Sequence, residues 1–66
     1  MLLTVKDVAH ELKVNVNYVY RLINAELLPS LKIGSRKVRP QALEEFLEKY
    51  EGKDIDEILE ERKIEQ

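Results

Sequence analysis

Apolar positions in this chain fall into helical stripes, interrupted once by a short stretch of different period. Val5, Val8, Ala9 and Leu12 recur at spacings of three and four, the stripe of a half-buried helix. Thr4 can cap a free backbone N–H ahead of them, and Asp7 sits in the first turn where the helix dipole favours negative charge. A first helix is therefore predicted from about Val5 to Lys13. Val16, Val19, Leu22 and Ile23 form a second stripe, with Asn15 as its cap. It should end near Ala25, and Pro29 forbids its continuation.

Only Val14 and Asn15 separate the two helical patterns. Helices joined so closely must cross steeply, as in a helix-turn-helix. In "LKIGSRKVR" the period changes: Leu31, Ile33 and Val38 are apolar, and Lys32, Lys37 and Arg39 are not. With Gly34-Ser35 between the two runs, this reads as a hairpin, apolar toward the helices and basic toward solvent. Pro40 suits the first position of a third helix carrying Leu43, Phe46, Leu47 and Tyr50 on one face, closed by Gly52. Asp54 opens an acidic terminal helix with a narrow stripe of Ile55, Ile58 and Leu59, whose end is expected to fray. The predicted fold is a small α+β winged helix-turn-helix: two helices, a two-stranded wing, a third helix and an extra C-terminal helix. Residues 1–52 form the winged unit. Residues 53–66 form the acidic helix, which either packs on its own domain or is offered to a partner.

Charge changes this picture. The formal net charge of −2 argues against nucleic acid, but its distribution argues the other way. Residues 1–40 carry seven basic and three acidic side chains, a balance of +4, whereas residues 41–66 carry four basic and ten acidic, a balance of −6. At 66 residues the chain is one small domain burying only ~60% of its unfolded surface, with little room for a catalytic cleft. It has no cysteine, which excludes disulfides and thiolate zinc sites, and the single histidine, His10, reads as a solvated side chain on a helix flank. No nucleophile–base pair or glycine-rich phosphate loop appears, so no enzyme, cofactor or small-molecule ligand is expected. No apolar run approaches the ~20 residues of a membrane span, and "MLLTVKD" turns charged too early for a signal peptide, so a soluble cytoplasmic protein is expected.

The second helix carries the candidate chemistry. Opposite Val19, at about 100° per residue, lie Arg21, Asn17 and Asn24, with Tyr18 and Tyr20 at the edges and Asn15 at the cap. A merely solvated helix in so charged a chain should show Glu and Lys there. Amides and guanidinium can instead make paired hydrogen bonds to base edges, Asn to adenine and Arg to guanine. The face is therefore read as a major-groove surface of double-stranded DNA, with an ordinary solvated face as the plain alternative. Lys32, Ser35, Arg36, Lys37 and Arg39 of the hairpin supply candidate contacts to phosphate or the minor groove, or simply guard an edge strand. Six carboxylates in residues 54–66 argue that the terminal helix stays away from DNA.

Over "LLTVKDVAHELKVNVNYVYRLINAELLPSLKIGSRKVRPQALEEFLEKY" the chain resembles the excisionase family of DNA-binding domains, related to mercury-resistance-type regulators. The resemblance rests on Leu3-Thr4-Val5, Val8-Ala9, Leu12, Val14, Val19-Tyr20-Arg21-Leu22-Ile23, Leu28-Pro29, Ile33-Gly34, Arg36 and Leu43-Glu44. The quoted stretch ends at Tyr50, so the acidic helix from Asp54 on lies outside it. In the family pattern a serine stands at Asn15, a turn glycine stands at Glu26, and the segment from wing to third helix is one residue longer. The replacement at Glu26 implies a different turn backbone. The resemblance implies a phage- or bacterium-encoded, nucleoid-associated protein that binds adjacent DNA sites, bends DNA and assists an integrase, a tyrosine or serine recombinase. Neighbouring copies on DNA are further implied partners. A small transcriptional regulator is the alternative, and a protein-binding adaptor without DNA function is the alternative of another class.

Overall fold

The computed structural model describes the backbone of residues 1–65 and the side chains of residues 1–62. The fraying expected at the very end of the chain lies outside the described residues. Among those residues, the order is β1 (Leu3–Thr4), α1 (Val5–Leu12), α2 (Val16–Asn24), β2 (Leu31–Ile33), β3 (Ser35–Val38), α3 (Pro40–Tyr50) and α4 (Ile55–Glu65). This is the small α+β winged helix-turn-helix that the sequence predicts, with one strand more.

The helix starts follow the capping chemistry. The Asp7 N–H donates to Thr4 Oγ1 and the Thr4 N–H donates to the Asp7 carboxylate, both at 3.0 Å, which closes a reciprocal box at the head of α1. The backbone N–H of Thr4, helped by its hydroxyl, holds the Asp7 carboxyl below the usual carboxylate range. Asn15 caps α2, its side-chain oxygen accepting from the Tyr18 N–H at 2.8 Å. Pro40 occupies the first turn of α3, and the Asp54 carboxylate accepts from the Glu57 N–H at the start of α4.

α2 ends in a Schellman closure, in which the N–H groups of Glu26 and Leu27 donate to the Ile23 and Leu22 carbonyls, each at 3.0 Å. That closure needs a left-handed residue, and Glu26 takes it at φ 62. The different turn implied by the missing glycine is therefore not found. The backbone is the one glycine would adopt, held by Glu26 against the steric preference of a Cβ. Glu26→Gly should accordingly raise stability by about 0.5–1 kcal/mol, about 2–8 °C in Tm, because the exposed carboxylate makes no hydrogen bond or ion pair among the described residues. A thermal melt checks this, and a lower Tm in the variant would count against the strain.

Core and sheet meet at β3. The sheet order is β1-β3-β2, all pairs antiparallel, with Leu3 opposite Val38, Leu31 opposite Lys37 and Ile33 opposite Ser35. Gly34 alone forms the tip, at φ 72, and Ser35 belongs to β3, not to the turn. Directly paired residues share a face and neighbours alternate. With Val38 buried against the helices, Arg36 and Lys32 share its side, and Leu31, Ile33, Ser35 and Lys37 take the other. The expectation that Leu31 and Ile33 turn toward the helices is thus overturned: they are 40% and 59% exposed. The register around Gly34 gives positions 31 and 38 opposite faces, so a hairpin cannot bury both. β1 was not predicted, since two residues are too few to show a period.

Val8, Val19, Leu22, Leu28 and Val38 are the most deeply buried side chains. Leu43 and Phe46 bury the α3 face, with Tyr50 half-buried and its ring centroid 5.2 Å from that of Phe46. Leu47, predicted on the same face, is 42% exposed. It lies at the edge of the stripe. Leu59 of α4 is 3% exposed within the same core, and Ile55 and Ile58 pack against it half-buried.

Candidate nucleic-acid interface

α2 is divided lengthwise by its own period. Val19, Leu22 and Ile23 are buried, while Asn17, Tyr20, Arg21 and Asn24 are exposed along the opposite side. Asn15 is exposed at the N-terminus, with its side-chain oxygen committed to the cap. The exposed amides and guanidinium form a row of hydrogen-bonding groups with paired geometry and no carboxylate among them on α2.

Tyr18 differs from the others. It is half-buried, and its hydroxyl donates to Asp56 Oδ1 of α4 at 2.6 Å. Burial, and after it the hydrogen bond to and charge of Asp56, pushes its phenol up to about 12, so the hydroxyl remains a proton donor throughout the physiological range. The Arg21 guanidinium lies 5.8 Å from the Tyr18 ring centroid and 4.0 Å from Glu60 Oε1. Farther along, Arg62 Nη1 donates to the Ala25 carbonyl at 3.0 Å. These contacts, Tyr18 to Asp56, Arg21 to Glu60 and Ala25 to Arg62, advance together along both helices. α4 therefore runs beside α2 in the same direction.

Of the two destinations the sequence leaves open for this helix, its own domain or a partner, the structure shows the first, with α4 along the flank of the polar face of α2. The reason is the buried Leu59, which anchors α4 in the core beside α2. Asp56 and Glu60, four residues apart, then share the edge facing Tyr18 and Arg21. Sequence reasoning missed both acidic residues and Arg62 as neighbours of the site. Their spacing beside the apolar stripe was visible, but the helix they would meet was not.

The wing does not gather its basic residues on one face. Lys32 is exposed on the Val38 side. Arg36, half-buried on that side, donates from Nη1 to Ser30 Oγ at 3.5 Å, tying the wing to the loop after α2. Lys37 lies on the other face and donates from Nζ to Ser35 Oγ at 2.7 Å. Arg39 stands beyond the wing at the head of α3, its Nη2 at 3.5 Å from Gln41 Oε1. Among the described residues no three His, Asp or Glu side chains come together as a metal site, and no helix is long and apolar enough to cross a membrane.

Comparison with known proteins gives a family match over residues 2–51, which spans both helices, the wing and α3, to the helix-turn-helix domain. No curated protein and no solved structure matches the chain. The matched span covers most of the chain and holds the paired helices, the polar face of α2 and the basic wing, so the chain belongs to the helix-turn-helix domain family and is a DNA-binding protein.

Proposed function

We infer that the protein is a sequence-specific, architectural DNA-binding protein of the excisionase kind. The observation that carries this reading is the exposed row of Asn17, Arg21 and Asn24 on α2, followed in the chain by a wing with basic residues on both faces. In the bound state α2 lies in the major groove, where Arg21 pairs with a guanine edge and Asn17 and Asn24 with adenine edges. Lys32, Arg36, Lys37 and Arg39, with the Ser35 hydroxyl, meet phosphate or the minor groove alongside. The chain's own residues thus supply register from the wing and base reading from the helix.

The excisionase assignment goes beyond DNA binding. It rests on the motif resemblance through Val19-Tyr20-Arg21-Leu22-Ile23, Leu28-Pro29 and Ile33-Gly34. Selection of bound duplexes from a random pool tests the binding. A circular-permutation gel of the selected site tests bending. Excision of an element in cells with and without the protein tests the role. Sequence selection without bending or any effect on excision would leave a small transcriptional regulator.

The wing has a test of its own. A phosphate contact contributes about 0.9 to the slope of log affinity against log salt, so Lys32→Ala and Lys37→Ala should each lower the slope by about that amount if both wing faces meet backbone. Because the two residues lie on opposite faces, a change for one alone identifies the face turned to DNA. An unchanged slope for both would remove the wing from the interface.

A further inference from the structure

The acidic edge of α4 has no role in the reading above, yet it holds two side chains of the candidate interface. We propose that Asp56 and Glu60 are specificity-determining residues, which mask Tyr18 and Arg21 from phosphate so that only the correct base edge draws Arg21 away. The proposal rests on the reading of α2 as the DNA-facing helix.

Non-specific binding to a duplex is almost wholly phosphate attraction. A guanidinium paired with a carboxylate contributes little to it, since pair and phosphate compete for the same donors. A guanine edge offers two acceptors in fixed geometry, which a randomly placed phosphate does not. Arg21 and Glu60 are 49% and 63% exposed in their side chains, so their pair is weak enough to open when such an edge arrives. Tyr18 is held more firmly, half-buried with its hydroxyl 2.6 Å from Asp56.

The device needs no unfolding. Leu59 and the Arg62 bond to Ala25 keep α4 in place while the pairs open and close. The polar contacts between α2 and α4 at Tyr18 and Arg21 run from side chain to side chain, so each can open singly. Both carboxylates stay at the edge of the interface and go on repelling arbitrary phosphates at a range of about a Debye length, ~10 Å at moderate salt. Affinity for any duplex falls, and affinity for a site with the right base falls least. Specificity is the difference between the two.

The test uses the full chain with Asp56→Asn and Glu60→Gln together, both at exposed positions, leaving Leu59 and the α4 cap intact. Glu57→Gln with Glu61→Gln removes the same charge from exposed positions on the α4 side away from α2, and serves as the control. Affinity for a labelled mixed-sequence duplex should rise about three- to tenfold in the first variant, chiefly at low salt, and clearly less in the control. Selection from a random pool should give a flatter base preference in the first variant only. Adding Arg21→Ala to it should cancel most of the gain. Unchanged or weaker affinity in the first variant overturns the proposal, as does an equal gain in the control or a gain that survives Arg21→Ala. If wild type selects no sequence from the pool, the reading of α2 itself falls and the masking role falls with it.

Discussion

Leu59→Ala is expected to lower Tm by roughly 10 °C or more, because truncating a buried leucine costs about 2–5 kcal/mol and a domain of this size moves ~4–8 °C for each. The total stability of 66 residues is only about 3–10 kcal/mol, so one side chain of an acidic terminal helix carries a large share. Its position in the core with Val8, Val19 and Leu22 explains why. The methyl groups removed would leave a cavity under α4 that its half-buried neighbours Ile55 and Ile58 cannot fill without sliding the helix. Melting followed by circular dichroism decides the point. A Tm within a degree or two of wild type would mean that α4 is undocked in solution, and the contacts of Asp56 and Glu60 with α2 would have no basis.

Arg21→Ala is expected to relax base preference at one position by about 1–3 kcal/mol, up to some hundredfold in selection, while leaving the others nearly intact. Arg21 is the only cation on the exposed side of α2, and its charge is already oriented by the Tyr18 ring and Glu60. Its removal leaves the fold undisturbed, since it is exposed and lies opposite Val19. The melting temperature should therefore stay close to wild type, which separates lost reading from lost structure. Asn17→Ala should behave similarly with a smaller loss. A full wild-type preference in Arg21→Ala would take this residue out of the base-reading set and leave the amides as the readers.

The helices were legible in the chain because their signals are local. Thr4 with Asp7, Asn15 and Asp54 cap by bonds to backbone within three residues, Pro40 presets the backbone of the first turn of α3, and each helix begins at its signal. The stripe of α2 follows from the helical period alone, which also gives Asn17, Arg21 and Asn24 a common side. Glu26 shows the limit of a local rule. The absent glycine suggested another turn, but the paired bonds to Ile23 and Leu22 are strong enough to hold a carboxylate-bearing residue at positive φ.

What tertiary structure decided is what two distant segments settle between them. The faces of the wing depend on the register of β3 against β1 and β2, and that register turned Leu31 and Ile33 outward. Which residues of the α3 stripe are buried, Leu43 and Phe46 but not Leu47, depends on where the rest of the core lies. The position of α4 is the largest case. Charge alone set it against DNA and told nothing of where it would lie, because the six carboxylates of residues 54–66 repel a duplex wherever they sit. Burial of Leu59 stabilises far more than exposed carboxylates cost, so the apolar anchor chose the place and brought Asp56 and Glu60 to Tyr18 and Arg21.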